Sequence, residues 1–168
     1  PGRGPVRVDD TAFTHFNTNI IASNAIAREA SASRLDADLT VLPELAGDAA
    51  EMGARLAELA MNSSSPITAV TGGETVVTLG KEYGLGGRSQ ELALAFLVAI
   101  SSYQARGHDI PNFVLLAGGT DGRDGPTDAA GAMVSHKMIA EGALLEHLRD
   151  ALKRHDSNSA LEKLNALI

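Results

Sequence analysis

The sequence predicts an α/β domain in which a mixed β-sheet is flanked by layers of helices. Short β-branched runs alternate with segments whose apolar residues recur at helical spacing. The length of 168 residues suits a single domain with a full hydrophobic core. Apolar residues make up 44% of the chain and charged residues 21%, which is typical of globular proteins. These three observations exclude a fibre, a coiled coil and a disordered tail.

The first part of the chain is expected to supply two strands and two helices. The patterns predict strands at 19–23 and 39–42, with a helix from Ala25 to about Arg34 between them that Asn24 caps. Asp48 is expected to open the next helix. Its apolar residues recur every three to four positions, at Met52, Leu56, Leu59 and Ala60.

The remaining elements include a hairpin and one long apolar helix. Two β-branched runs, at 67–71 and 75–79, surround a Gly-Gly pair and predict a β-hairpin, which argues against a purely parallel sheet. A helix from about Arg88 to Arg106 is apolar on nearly all sides and is expected to lie in the core. A buried strand is predicted at 113–117, and a further short strand at 132–134. Helices are predicted from about His136 to Leu167, with a break near Asp156 and Ser157.

Composition narrows the possible partners. The net charge of −7 and the low aromatic content, at 4% of residues, weigh against nonspecific binding to nucleic acid. No apolar run approaches the ~20 residues of a membrane-spanning helix. The absence of cysteine excludes disulfides, thiolate zinc sites and a cysteine nucleophile. We expect a cytoplasmic protein without nucleic-acid or membrane partners. Because the chain starts with proline rather than methionine, it is interpreted as a piece of a longer polypeptide.

Glycine is concentrated in the region where chemistry is expected. Of 17 glycines, 12 fall between Gly72 and Gly131. Glycine costs conformational entropy, so such clustering indicates backbone geometries that other residues cannot reach. The first glycine loop, at 71–75, carries Glu74, whose carboxylate could reach a metal or a hydroxyl group. The same residues are also compatible with a simple hairpin turn.

The second glycine loop, at 84–91, runs directly into the long helix. Free NH groups at the start of a helix, after Gly86 and Gly87, favour binding of an anion. Arg88 adds a planar guanidinium suited to a carboxylate or a phosphate. The alternative is a turn in which Ser89 caps the helix and Arg88 points into solvent. The dinucleotide-binding fingerprint is not matched, because it requires glycine at position 89.

The third glycine loop, at 118–128, follows the predicted strand at 113–117. Ligands of open α/β sheets bind beyond the carboxyl ends of strands. Asp121, Asp124 and Asp128 could bind a hard cation or orient a hydroxyl group. The alternative is a solvated turn in which the aspartates bond their own backbone. The five histidines show no metal-ligand spacing and are expected in surface or capping roles.

These loops resemble a known family. The matching segments are Gly72-Gly73-Glu74-Thr75, then 86–94 (GGRSQELAL), 119–122 (GTDG) and 124–132 (DGPTDAAGA). They are similar to the MOFRL domain, the C-terminal half of glycerate 2-kinases, some of which are named hydroxypyruvate reductases. The resemblance covers about Thr18 to Leu164. Relatives usually have Asn where this chain has Ser89, and a Ser-Ala pair or similar where it has Ala117-Gly118.

The resemblance implies a domain organisation. Residues 1–17 would be a linker from a missing Rossmann-like N-terminal domain, and 18–168 a MOFRL-containing α/β domain truncated at its C-terminal tail. The active site would lie between the two domains, so the isolated chain is expected to be inactive.

The resemblance also implies an activity: transfer of the γ-phosphoryl group of ATP to the 2-hydroxyl of D-glycerate, with Mg²⁺. Arg88 and Asp121 would be the catalytic residues, and Asp121 and Glu74 the candidate metal ligands. An NAD(P)H-dependent hydroxypyruvate reductase and a non-catalytic binding domain remain as alternatives. The residues expected to bind substrate or nucleotide are Gly72, Gly73, Glu74, Gly86, Gly87, Gln90, Glu91, Thr120, Gly122 and Asp128.

Overall fold

The computed structural model describes residues 23–35 and 39–168; the side chains of 39–41 are not described. Residues 19–22 of the strand predicted at 19–23 and the predicted linker at 1–17 lie outside these residues. The elements are α1 (Asn24–Ala32), β1 (Leu39–Val41), β2 (Leu45–Asp48), α2 (Ala49–Asn62), β3 (Thr68–Val70), β4 (Gly73–Val76), α3 (Arg88–Ala105), β5 (Val114–Gly118), β6 (Gly131–Ser135), a 3₁₀ turn (His136–Met138), α4 (Gly142–Lys153) and α5 (Ser157–Lys163).

The starts of the first two helices follow from local capping. The Asp48 carboxylate accepts hydrogen bonds from the NH groups of Ala50, at 2.9 Å, and Glu51, at 3.1 Å, so α2 begins where the sequence predicts. The cap of α1 is one residue earlier than predicted. Ser23, rather than Asn24, accepts the NH of Ile26 at 3.2 Å.

The strands form both parallel and antiparallel pairs, which confirms the α/β class. In the described residues they make three two-stranded sheets: β1 with β3 and β2 with β4, both parallel, and β5 with β6, antiparallel. The predicted hairpin is wrong. Strands β3 and β4 do not pair with each other, because each pairs with a strand from before α2. Gly73 lies so close to β2 that an added Cβ would stand 2.0 Å from the Leu45 carbonyl oxygen.

Helix α3 is the centre of the core, as its apolar sequence predicts. Leu94, Leu97 and Ile100 are fully buried. Helix α2 packs along it most extensively, and α4, α5 and the β5–β6 pair also contact it. The ring of Phe96 packs edge-on against Phe113, with 5.1 Å between ring centroids. This rigid central helix positions the residues at its N-terminus.

The prediction that the strand at 113–117 is buried is wrong, because the side chains of Val114 and Leu116 on β5 are largely exposed. The last residues of the chain return to the β5–β6 pair. The Ala130 NH donates to the Ile168 carbonyl at 2.6 Å, and the Ile168 NH donates to the Gly131 carbonyl at 3.2 Å. The predicted break in the terminal helices is present at 154–156, where His155 has a left-handed φ of 51°. Among the described residues, no helix is long and apolar enough to cross a membrane.

Candidate functional site

An open cleft of about 530 Å³ lies at the N-terminal end of α3. It is lined by the segment that leads from β4 into α3, by the loop after β5, and by two further side chains, Glu91 and His155. The cleft therefore brings together several residues that the sequence predicts for a site. These are Gly86, Gly87, Arg88, Glu91 and Asp121.

Arg88 forms an ion pair with Glu74. The Arg88 Nη1 lies 2.8 Å from the Glu74 Oε1, and the two side chains are 52% and 76% exposed. An exposed pair of this kind stabilises a protein by at most ~1 kcal/mol. A ligand carboxylate or phosphate can therefore take the place of Glu74 with little loss of stability.

The N-terminus of α3 is capped by a carboxylate from the loop after β5. Asp124 is 3% exposed and accepts the NH of Ser89 at 3.0 Å and the NH of Gln90 at 2.8 Å. These two NH groups are therefore not free to bind a ligand. The expected anion site then consists of the Arg88 guanidinium and the NH groups of Gly86 and Gly87. Among the described residues, no backbone carbonyl accepts a hydrogen bond from either glycine NH.

The glycines before α3 allow two segments to touch. A Cβ on Gly86 would stand 2.1 Å from the Ser157 Oγ, and one on Gly87 would stand 2.4 Å from the Asp124 Cγ. Because neither space can hold a side chain, these glycines are required by close packing at the cleft.

Gln90 lies in the interior, although it is predicted to bind substrate or nucleotide. It is fully buried, and its amide donates to the Thr127 Oγ1 at 2.9 Å and to the Asp124 carbonyl at 3.3 Å. The Asn158 amide donates to the Gln90 Oε1 at 2.9 Å. The structure therefore gives Gln90 a network of internal hydrogen bonds beneath the cleft.

The loop after β5 presents Asp121 to the cleft. The Asp121 Oδ1 accepts the NH of Arg123 at 3.3 Å, and Gly122 has a φ of 80°, a conformation that favours glycine. Thr120 is exposed beside them. Arg123, which sequence reasoning did not select, also lines the cleft and is its second arginine.

Seven predicted residues are not among those that line the cleft: Gly72, Gly73, Glu74, Gln90, Thr120, Gly122 and Asp128. Asp128 is exposed, lies 3.7 Å from the Arg123 Nη2, and borders a separate hollow of about 420 Å³ near the C-terminus. Gly72 packs against Asn24, and Gly73 packs against Leu45.

Glu91 is a buried carboxyl in the first turn of α3, directly before the apolar part of the helix. It is 2% exposed, and its Oε1 lies 2.8 Å from the His155 Nδ1. Burial raises the pKa of Glu91 above its ordinary value of 4.5, while the hydrogen bond and the charge of His155 act in the opposite direction. Sequence reasoning missed His155, which is 64 positions from Glu91. The helix break beside it was the only local signal.

The chain does not supply a complete metal site in the part that the structure describes. No group of three or more His, Asp or Glu residues there could hold a metal ion. Magnesium usually keeps several waters and takes one or two protein carboxylates together with phosphate oxygens. The single exposed carboxylate of Asp121 in the cleft fits that mode of binding.

Comparisons with known proteins agree with this description. The MOFRL family model matches residues 67–168. The chain is 35% identical over 161 residues to a glycerate 2-kinase of Pyrococcus horikoshii, a match covering 90% of this chain and 34% of that protein. An Agrobacterium vitis protein provisionally named hydroxypyruvate reductase is 36% identical over 168 residues, covering 89% and 35% of the two chains. The crystal structure of a glycerate kinase from Thermotoga maritima matches with a TM-score of 0.64 and 32% identity, covering 86% of this chain and 34% of that one. The chain thus spans about a third of the length of these relatives.

Proposed function

Since the chain belongs to the MOFRL family of glycerate kinase domains, we propose that it is the C-terminal domain of a glycerate 2-kinase. The reaction is transfer of the γ-phosphoryl group of ATP to the 2-hydroxyl of D-glycerate. One observation carries this proposal. Arg88, Asp121 and the glycine turn before α3 come from separate parts of the sequence and line the same cleft.

Two cations in the cleft can bind an anionic substrate, although the carboxyls of Glu91, Asp121 and Asp124 also line it. Phosphoryl transfer depends mainly on alignment and on neutralising negative charge. Arg88 and Arg123 supply two guanidinium groups. In this proposal a substrate carboxylate or phosphate replaces Glu74 beside Arg88, and the Gly86 and Gly87 NH groups donate to the same anion.

Asp121 is proposed to bind either the hydroxyl group that accepts the phosphoryl group or the metal ion. Its carboxylate would accept a hydrogen bond from the 2-hydroxyl, or bind magnesium together with phosphate oxygens. Glu74 is the second candidate ligand once it is released from Arg88. Magnesium held by these carboxylates would supply neutralisation of the negative charge on the phosphates.

The remaining catalytic groups are proposed to come from another domain of the same polypeptide. The cleft is open, and the chain spans only about a third of its relatives' length. We propose that a preceding domain closes over Arg88 and Asp121 and excludes water from the reaction.

A hydroxypyruvate reductase is the second candidate, because the Agrobacterium vitis relative carries that name. Against it, the glycine loop before α3 has Ser89 where the dinucleotide-binding fingerprint requires glycine. A reductase would therefore need a nicotinamide site elsewhere in the polypeptide.

Product analysis tests the proposal. The full-length polypeptide is incubated with ATP, magnesium and D-glycerate, and phosphorus NMR identifies the phosphorylated carbon. We expect 2-phosphoglycerate and ADP in equal amounts, with L-glycerate as the matched control for the acceptor. Oxidation of NADH or NADPH by hydroxypyruvate, without phosphoryl transfer, would contradict the kinase and support the reductase.

A further inference from the structure

We infer that Asp124 is a positioning residue, whose carboxylate sets Arg88 and Asp121 at their working separation by holding the loop after β5 on the N-terminus of α3. The inference rests on the proposed function for its kinetic readout. The sequence alone left two roles open for Asp124: binding a ligand or forming a turn.

The carboxylate of Asp124 uses both of its oxygens on α3. Oδ1 accepts the Ser89 NH at 3.0 Å, and Oδ2 accepts the Gln90 NH at 2.8 Å. A helix N-terminus has free NH groups and a partial positive charge, so a buried carboxylate there is strongly favoured. The contact spans 34 and 35 positions of sequence. The contact therefore joins two segments that are distant in sequence, whereas an ordinary N-cap residue directly precedes the helix that it caps.

The backbone of Asp124 is held to the same helix. Its carbonyl accepts the Gln90 amide at 3.3 Å and the Thr127 hydroxyl at 2.8 Å. Thr127 also accepts the Gln90 amide at 2.9 Å. All three residues are buried, so these bonds are made away from competing water.

Glycines allow the two segments to come close enough for these bonds. Gly125 has a φ of 64°, and an added Cβ there would stand 2.2 Å from the Gly86 carbonyl oxygen. A Cβ on Gly87 would meet Asp124 at 2.4 Å. The contact thus depends on glycine in both segments, which ties their backbones together along several residues.

The two predicted catalytic residues lie next to this contact. Arg88 directly precedes Ser89, and Asp121 precedes Asp124 by three positions. Moving the loop relative to α3 would therefore move Asp121 relative to Arg88. A misplacement of about 1 Å in an active site can cost ~100-fold in rate.

A double-mutant cycle in the full-length polypeptide tests the inference. Asp124→Asn replaces one acceptor oxygen with an NH₂ group that cannot accept the second helix NH. We expect kcat/KM for phosphorylation to fall by about 10- to 100-fold at a temperature where circular dichroism shows the variant folded. The matched control is Asp109→Asn, an exposed carboxylate in the loop after α3, which should leave kcat/KM unchanged.

The cycle separates positioning from simple stabilisation. If Asp124 acts through Arg88, adding Asp124→Asn to Arg88→Ala lowers kcat/KM no further. The inference would be overturned if folded Asp124→Asn kept the wild-type kcat/KM. It would also be overturned if the fold losses in kcat/KM of the two single variants multiplied in the double variant. Asp124→Ser, which keeps one acceptor for the helix, replaces Asp124→Asn in the cycle if the latter does not fold.

Binding of inorganic tripolyphosphate provides a readout independent of the reaction. Calorimetry is expected to show binding that Arg88→Ala abolishes, that Asp124→Asn weakens about tenfold and that the control Asp109→Asn leaves unchanged. A wild-type protein that phosphorylates nothing but shows this pattern would refute the proposed function and leave the inference standing. Absence of Arg88-dependent binding would overturn the inference.

Discussion

Glu91 and His155 form the least expected pair at the cleft. A carboxyl buried to this degree on a core helix is costly when ionised, and its hydrogen bond to the His155 Nδ1 only partly offsets that cost. Because burial is the largest influence, the pKa of Glu91 is raised in the folded protein. The folded state therefore binds a proton at this site more tightly than the unfolded state does.

This proton linkage makes Glu91 a source of pH-dependent stability. Its contribution is fully present below the unfolded pKa, near 4.5, and is lost as the pH rises through the higher folded value. Glu91→Gln removes the titration while keeping a hydrogen-bond acceptor for His155. Thermal unfolding should therefore show the variant gaining stability relative to wild type as the pH rises from about 4.5 towards neutrality.

Glu58→Gln, at an exposed position on α2, is the control for this measurement. It should change the unfolding temperature by the same small amount at every pH. If the unfolding temperatures of wild type and Glu91→Gln changed in parallel with pH, Glu91 would not have a raised pKa in the folded protein.

At the scale of elements, the packing of α2 on α3 depends on one glycine. A Cβ on Gly53 would stand 2.3 Å from the Leu92 carbonyl oxygen and 2.9 Å from the Ala95 Cβ. Both neighbours belong to the buried central helix, which is packed on several sides and cannot shift freely.

Gly53→Ala is therefore expected to destabilise the fold. Alanine improves helix propensity by up to ~1 kcal/mol, but overpacking typically costs about 1–3 kcal/mol, and the contact is with backbone. A backbone contact at 2.3 Å places the cost in the upper part of this range, so urea denaturation should show a net loss of about 1–2 kcal/mol. Gly80→Ala is the matched control, because its added Cβ would meet no atom within 4 Å. A Gly53→Ala variant as stable as wild type would mean that α2 does not approach α3 this closely.

Local signals predicted the helices better than the strand pairing. Asp48 and the apolar periodicity after it define α2, because capping and amphipathicity act over a few residues. The Gly72-Gly73 pair suggested a hairpin, but β3 pairs with β1, a strand that the sequence predicts, and β4 pairs with β2, which it does not. No local pattern identifies either pairing. Arg88 and Asp121 were selected from loop chemistry. The contacts of Asp124 and His155 span 34 to 64 positions, so only the fold reveals them.

At the scale of the whole molecule, two features fit the proposed partner domain. Arg88 and Asp121 both line the cleft, and their side chains are exposed. The outer face of the β5–β6 pair also carries exposed apolar side chains, at Val114, Leu116 and Met133. Such a patch is typical of a surface that contacts other protein. We expect the 168-residue chain alone to lack kinase activity, because a single open wall cannot exclude water from phosphoryl transfer.

The most direct test of the central claim is ATP-dependent phosphorylation of D-glycerate by the full-length polypeptide, compared with its Arg88→Ala variant. We predict a kcat/KM at least about tenfold lower in the variant, or ~1.4 kcal/mol of lost transition-state stabilisation. The control is Arg106→Ala, which removes an exposed guanidinium that stacks on Tyr103 at the far end of α3 and should retain wild-type activity. An Arg88→Ala enzyme with unchanged kcat/KM would contradict the assignment of this cleft as the site of phosphoryl transfer.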